Sequence, residues 1–375
     1  MRRLLRYTAA RGRLTMLLLV AQVACAQSVV TAPGEPGDGG APLDTLDGGP
    51  GARADVRPSP RDAQVQPADA EADAGVVARD GGEPTGGCMT ELRQDIQVPS
   101  PNAPHGFQGV RALVFDASRR LHVLSRQGPP FTGWVSVHEP APDYRLVRGF
   151  GREQIRAAQD VVVRPNGDVL VLDWDPDGVT GPVVHEFAVS GAFRRTIELG
   201  GGIDEAWGLA LDDAGTLYVA GQVVARYDAN GVLIDTIGRF GGAAGAVGVA
   251  KAVALDPRGY AWVASLIHNS VQQYDVSTRA LVQQIGGRGV GPGLFDGDAA
   301  EDWRWGPTRI ALDGQGALYA NDPYVGRIQK LSRQGVFLGE FRFGNTMEIG
   351  PVRVEPQTGH VLVGRGTGVA IVCPL

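Results

Sequence analysis

The sequence predicts an all-β fold of six four-stranded antiparallel units, arranged as the blades of a propeller. A short apolar segment that ends near an acidic residue or an arginine recurs six times, at steps of 42 to 57 residues. Each copy is followed by a turn and by further short segments rich in β-branched residues. No amphipathic helical pattern of three or more turns occurs after residue 88. Repeats of about 45 residues with four strands each are typical of β-propellers.

The four strands of each unit are predicted in order from their apolar residues and the turn signals between them. The first strands are predicted at residues 113–116, 161–164, 209–212, 253–256, 310–313 and 352–355. The second strands follow Gly-rich or polar turns, at 121–124, 169–172, 217–220, 261–264, 318–321 and 361–364. The third strands contain Val135, Val184, Val224, Val271, Ile328 and Ala370. The fourth strands contain Val147, Arg195, Ile234, Val282 and Leu338, and the last unit lacks one.

The units resemble NHL repeats, and the fifth unit carries the resemblance best. Residues 306–322 read GPTRIALDGQGALYAND, and residues 326–332 read GRIQKLS. The resemblance covers residues 88–375 and implies a six-bladed propeller. It implies no particular activity, because such propellers include both enzymes and binding proteins.

The N-terminal segment is predicted to close the ring. Residues 91–98 are expected to supply the strand that the last unit lacks, leaving no open edge. This arrangement would bring Cys88 close to Cys373, so we expect a disulfide between them in an exported protein. The alternative is two buried free thiols.

The first 87 residues are predicted to export and tether the propeller. Five arginines precede an apolar run at 14–24 that is too short to span a membrane, which indicates a signal peptide over residues 1–26. Cleavage after Ala26 is one alternative. The other is lipidation of Cys25, whose surroundings resemble a bacterial lipobox with Gln22 in place of an aliphatic residue. Residues 27–87, rich in Gly, Pro, Ala and Asp, predict a disordered acidic linker. We therefore expect a secreted protein or a lipoprotein of the cell envelope, in the outer membrane, in the periplasm or on the surface.

An acidic run between the second and third strands of the second unit is a candidate calcium site. Asp173, Asp175 and Asp177 alternate and precede a glycine, a pattern that resembles the start of a calcium loop. The twelfth position of that loop is Val184 instead of an acid, and the alternative is a solvated acidic turn. Calcium is the only cofactor that the sequence suggests.

A second acidic cluster, at residues 296–302, is predicted on the same rim of the propeller as the candidate calcium run. Trp174, Trp303 and Trp305 are predicted there as well. Acidic and indole groups together suit a cation, a sugar or a peptide. The alternatives are a solvated loop and a tryptophan that only caps its blade.

The inner starts of the first strands are the main candidate ligand site. The residues predicted there are Arg111, Asp160, Trp207, Lys251, Arg309 and Pro351. The three cations could hold a carboxylate or a phosphate at the channel mouth. The alternative is that they pair with Asp160 and with backbone carbonyls.

No catalytic residue is predicted. Six-bladed propellers that resemble this one include a copper- or zinc-assisted amidating lyase family, which needs several histidines at the channel. None of the six inner residues is a histidine. A calcium-dependent lactonase family needs a Glu, Asn and Asp trio that has no blade-specific match here.

The predicted function is therefore a non-enzymatic binding scaffold for a protein, a peptide or a glycan. A net charge of −6 without a basic domain argues against nucleic acid as a partner. We expect a monomer whose membrane contact is made only through a lipid anchor. The alternatives are a metal-assisted lyase or lactone hydrolase at the channel, and a purely structural envelope protein.

Overall fold

The computed structural model describes residues 90–92, 109–127, 132–174, 181–243, 245–295, 306–343, 349–366 and 368–374. These residues form 24 strands. None of the described segments contains a helix with the length and hydropathy needed to cross a membrane. The predicted signal peptide, the linker, Cys25 and Cys88 lie outside the described residues.

The strands form six sheets of four, one for each predicted unit. Blades 1 to 3 consist of β2 (Val110–Phe115), β3 (Leu121–Gln127), β4 (Thr132–His138), β5 (Leu146–Phe150); β6 (Ala158–Val163), β7 (Val169–Asp173), β8 (Val183–Phe187), β9 (Phe193–Glu198); and β10 (Gly208–Leu211), β11 (Leu217–Ala220), β12 (Val224–Tyr227), β13 (Leu233–Ile237). Blades 4 to 6 consist of β14 (Ala250–Asp256), β15 (Tyr260–Ser265), β16 (Ser270–Asp275), β17 (Leu281–Gly286); β18 (Ile310–Leu312), β19 (Leu318–Asp322), β20 (Arg327–Leu331), β21 (Phe337–Arg342); and β22 (Ile349–Val354), β23 (Val361–Arg365), β24 (Gly368–Val372) with β1 (Thr90–Leu92). Each predicted strand of the six units overlaps one of these strands, so the six-bladed propeller is confirmed.

The ring is closed by the N-terminal strand, as the sequence predicts. The sixth sheet has the order β1-β24-β23-β22, so β1 supplies its outermost strand. The pairing is antiparallel, with Thr90 opposite Ile371 and Leu92 opposite Val369. The observed strand covers the start of the predicted segment 91–98, whose residues 93–98 lie outside the described part of the chain.

The hydrophobic core lies between the blades. Six clusters of buried apolar side chains each combine residues of two neighbouring sheets. The cluster between blades 6 and 1 packs Leu113 and Val123 against Leu362 and Val369. A sheet must bury its apolar faces against another layer, and in a ring of six blades each sheet packs against a neighbour on both faces.

The acidic residue at the end of the first strands stabilises the turn that follows. The Asp313 carboxylate accepts the backbone N–H groups of Gln315 at 3.0 Å and of Ala317 at 2.8 Å. Gly316 adopts a φ of 85°, which favours glycine in this turn. In blade 1, Asp116 caps the equivalent turn in the same way. The recurrence of an aspartate after four of the six apolar segments, at residues 116, 212, 256 and 313, thus has a structural cause.

Candidate functional site

Four of the innermost strands contain an irregularity near their first residues. In β2, β6, β14 and β22 the pairing with the second strand shifts register. The extra residues of the first three strands are Arg111, Gln159 and Lys251, and the shift in β22 falls between Ile349 and Val352. An extra residue of this kind bends its strand and redirects its side chain. We call this place the bulge position of each blade.

The bulge position can be identified in every blade from the apolar residue two places further on. That apolar residue is buried in all six blades, as Leu113, Val161, Leu209, Val253, Ile310 and Val352. In blade 3 the bulge position is therefore Trp207, whose backbone N–H donates to the carbonyl of Ala220 at 2.8 Å. Blades 5 and 6 carry Thr308 and Gly350 there.

The six predicted inner residues therefore come from two successive positions of the blades. Arg111, Trp207 and Lys251 share the bulge position, whereas Asp160 and Arg309 lie one residue further along their strands. Pro351 also lies one residue beyond the bulge position of its blade. This difference matters because the two positions have different hydrogen-bond partners.

Asp160 joins the innermost strands of blades 2 and 3. One carboxylate oxygen accepts the backbone N–H of Leu209 at 2.9 Å, and the other accepts that of Val161 at 2.8 Å. The innermost strand of a blade is the edge of its sheet, so its outward N–H and C=O groups need partners from elsewhere. The Asp160 side chain supplies such a partner across the gap between two blades.

Arg309 and Arg353 make the corresponding contacts to carbonyl groups. The Arg309 Nη1 donates to the carbonyl oxygen of Lys251 in blade 4 at 3.2 Å, and Nη2 donates to that of Gln159 in blade 2 at 3.4 Å. Arg353 donates to the carbonyl oxygen of Ile310 in blade 5 at 3.2 Å. These arginines connect blades, and part of their donor capacity is used by the backbone.

The bulge-position side chains, in contrast, have donors without acceptors. The Arg111 Nε and the Trp207 Nε1 are buried and have no hydrogen-bond partner in the described part of the protein. The Lys251 Nζ lies 3.3 Å from the centroid of the Trp207 ring. Two donor groups on one ring of residues thus lack an acceptor, and a cationic amine lies against one of them.

The electrostatic environment of these side chains is positive. Burial lowers the pKa of Arg111 to about 10, and Arg126 and Arg309 act in the same direction. Burial lowers the pKa of Lys251 from 10.5 to about 7, the Glu205 carboxylate opposes this, and Arg309 adds to it. Both cations are therefore destabilised by their surroundings, and an anion bound beside them would relieve that repulsion.

An aromatic pair borders the cations on one side. Trp174 and Trp207 meet edge to face, with ring centroids 4.8 Å apart. Trp174 follows the second strand of blade 2, on the rim where the sequence places it. Lys251 and the two indoles therefore form a continuous cationic and aromatic surface, which suits a ligand with both an anionic and an apolar or planar part.

The candidate calcium run is only partly described. The Asp173 carboxylate accepts the backbone N–H groups of Arg156 and Ala157, both at 2.7 Å, and lies 3.2 Å from the Nε2 of His185. Asp175 and Asp177 lie outside the described residues, so the calcium site stays a prediction. Among the residues that the structure describes, no group of three or more His, Cys, Asp or Glu side chains is placed to hold a metal ion.

Two groups remain to be placed, namely the second acidic cluster with its tryptophans and the histidines of the blades. The acidic cluster 296–302, Trp303 and Trp305 fall outside the described residues. His122 and His185 are bonded within their own blades, His122 to Asp116 at 3.1 Å and His185 to Asp173.

Sequence reasoning missed three residues of the channel mouth. Gln159 occupies the bulge position of blade 2, Arg353 bonds the neighbouring blade, and Glu205 is the carboxylate that acts on Lys251. Alignment of the six units on their buried apolar residue would have revealed Gln159. Glu205 lies in the connection before β10, where the repeats do not align.

Comparisons with known proteins add a similarity of fold. No protein-family model matches the chain, and no curated protein matches it in sequence. A solved structure of a streptogramin B lyase is similar, with 10% sequence identity and a TM-score of 0.49. The match covers 76% of this chain and 96% of that chain.

Proposed function

We propose that the protein is an exported NHL-type propeller that binds an anionic group of a protein, a peptide or a glycan at the mouth of its channel. The carboxylate or phosphate of the ligand would accept hydrogen bonds from Arg111 and Trp207 and would lie close to the Lys251 ammonium. The binding role requires no chemistry from the propeller itself.

The observation that carries the proposal is that two of the buried donors without acceptors lie at the same position of the ring. A buried donor left unsatisfied costs about 1–3 kcal/mol, and native proteins hold few such groups. The Arg111 Nε and the Trp207 Nε1 share the bulge position, on different blades of the same ring. A ligand oxygen that accepts from either donor would recover the cost of that donor and would offset the positive charge at the same time.

The export part of the proposal rests on the N-terminal sequence. Basic residues followed by a short apolar run and a small-residue cleavage site are typical of signal peptides. Mass spectrometry of the mature protein from its native host would distinguish the alternatives. A chain that begins at a lipid-modified Cys25 supports anchoring, a chain that begins at Gln27 supports secretion, and an intact Met1 contradicts export.

Ligand binding is tested by differential scanning fluorimetry and calorimetry of the purified propeller with acetate, phosphate, a short acidic peptide and a neutral sugar. A ligand at 100 times its dissociation constant stabilises the folded state by about 2.7 kcal/mol. We expect the anionic probes to raise the melting temperature and the neutral sugar to leave it unchanged. The effect should weaken as salt increases.

A pair of arginine variants locates the site. Arg111→Met is expected to abolish the anion-dependent stabilisation, because it removes one unsatisfied donor and its charge. Arg145→Met is the control, because that guanidinium is exposed and contacts only Glu139, at 3.9 Å. Equal stabilisation of the two variants by the anionic probes, or none in the unmodified protein, would refute the site.

A further inference from the structure

Lys251 is set apart from the other lysine of the chain by its surroundings. The sequence contains only two lysines, Lys251 and Lys330. The Lys330 ammonium lies 3.9 Å from the Asp313 carboxylate and 5.3 Å from the Tyr319 ring centroid. The Lys251 amine has no carboxylate within ion-pair distance among the described residues and lies against the face of Trp207.

Burial and a neighbouring cation favour a neutral, nucleophilic amine at Lys251, whereas the Trp207 ring face, 3.3 Å from Nζ, favours the charged form. Burial withdraws water from the ammonium, and the Arg309 guanidinium, which donates to the carbonyl of Lys251 itself, repels its charge. Glu205 is the acidic group that opposes this effect. Desolvation and a neighbouring cation are the two means by which proteins activate lysine as a nucleophile. With a pKa of about 7, roughly half of the amine is neutral at physiological pH.

We propose that Lys251 condenses reversibly with the carbonyl carbon of a small oxo acid, an aldehyde or ketone that also carries a carboxylate. The inference rests on the proposed anion site, because the carboxylate would be held there by Arg111. The channel mouth would then capture its ligand covalently as an imine.

The condensation needs only the two reactants. The Nζ lone pair attacks the carbonyl carbon, and the C–N bond forms as the carbonyl π electrons move to oxygen. Both amine protons pass to that oxygen, which leaves as water while the C=N bond forms. Nothing is oxidised or reduced, and addition of water reverses the step.

The neighbouring side chains suit the product as well as the reactants. The imine nitrogen takes up one proton from solvent water to become a cation, and the Trp207 ring face, 3.3 Å from Nζ, stabilises a cation at that place. The carboxylate of the oxo acid would balance the charge of Arg111 and Arg309. A neutral aldehyde would lack this second interaction and would bind more weakly.

Reductive trapping tests the proposal directly. The full-length protein is incubated at neutral pH with glyoxylate and sodium cyanoborohydride, which reduces the imine to a stable secondary amine. Peptide mapping by mass spectrometry then measures the modification of each lysine. We expect Lys251 to react more than about tenfold faster than Lys330, because burial lowers the pKa of Lys251 to about 7, whereas the Lys330 ammonium lies 3.9 Å from the Asp313 carboxylate. Equal labelling of both lysines, or no labelling of Lys251, would overturn the inference.

Two further arms separate this inference from the proposed anion site. Propionaldehyde, which lacks a carboxylate, should label Lys251 more slowly than glyoxylate, and Arg111→Met should slow glyoxylate alone. Equal rates for the two aldehydes would overturn the choice of an oxo acid. Calorimetry with acetate on the same preparation reports the anion site by itself. Acetate binding without trapping at Lys251 overturns only the condensation, whereas absence of acetate binding overturns the proposed function.

Discussion

Arg327 is the most completely buried cation of the described propeller, and its replacement by methionine should destabilise blade 5. Its side chain is 1% exposed and lies 3.0 Å from the Asp322 carboxylate and 2.9 Å from that of Glu340. The remaining nitrogen, Nη2, donates to the carbonyl oxygens of Gly291 at 3.0 Å and Leu294 at 2.9 Å. The guanidinium thereby joins β20 to the connection between blades 4 and 5.

The expected cost follows from these contacts. Removal of one partner from a buried ion pair costs roughly 3–5 kcal/mol, because the remaining charge stays buried. Because methionine fills a similar volume, the expected loss of stability includes little free energy for a cavity. We expect the free energy of unfolding to fall by about 4 kcal/mol and the melting temperature to fall by roughly 10 °C.

A second arginine on the same carboxylate provides the control. Arg342 also pairs with Glu340, but its side chain is 48% exposed. Arg342→Met should cost less than about 1 kcal/mol, since exposed ion pairs contribute little. Urea unfolding followed by tryptophan fluorescence compares the two variants. A difference of less than about 1 kcal/mol between them would refute the reasoning from burial.

Three other predictions follow from the described contacts. Cys88→Ser should lower the free energy of unfolding by about 5 kcal/mol in the chain-entropy model, and Cys25→Ser should leave it almost unchanged. The reason is that the register of β1 with β24, continued by two residues, predicts Cys88 opposite Cys373. Two titratable thiols in the native protein would contradict this prediction. Burial lowers the pKa of His122 below its ordinary 6.5, so its contribution to stability is complete above pH 6.5 and is lost as the pH falls below that value. His122→Gln should therefore flatten the pH dependence of the free energy of unfolding, measured with urea between pH 7 and 5, by up to about 1.4 kcal/mol per pH unit. An unchanged slope would count against this prediction. Asp160→Asn should lower the free energy of unfolding in urea by about 2 kcal/mol, because an amide cannot accept the N–H groups of both Val161 and Leu209 with its one oxygen and its NH2 group. Asp143→Asn, at an exposed position, is the control and should cost almost nothing. Equal stability of the two variants would show that the contact between blades is unimportant.

The architecture could be predicted because its determinants are local. Alternating apolar residues such as Leu217 and Val219 specify a strand wherever they occur, and Asp313 specifies the turn that follows. Ring closure could also be predicted, because a unit with three strands leaves one edge open and Thr90–Leu92 is the only strand before blade 1 among the described residues.

The sequence does not distinguish the inner residues that bond to a neighbouring blade from those that keep a donor without an acceptor. Arg111 and Arg309 look alike in sequence, since each lies at the start of a first strand. Their difference depends on register: Arg111 is the extra residue of a shifted ladder, whereas Arg309 reaches the carbonyl of Lys251 in the next blade. A register shift depends on how two strands pair, and the composition of either strand alone does not reveal it.

The bulge positions give the propeller a means to change specificity during evolution. Five blades each contribute one side chain to the ring, from Arg111 in blade 1 to Thr308 in blade 5, and none of these side chains belongs to the apolar clusters that hold the blades together. A single codon change at one of them would alter the recognised chemistry while the scaffold keeps its stability. Duplicated genes with this architecture could therefore diversify quickly, with the five side chains of the ring as sites on which selection can act.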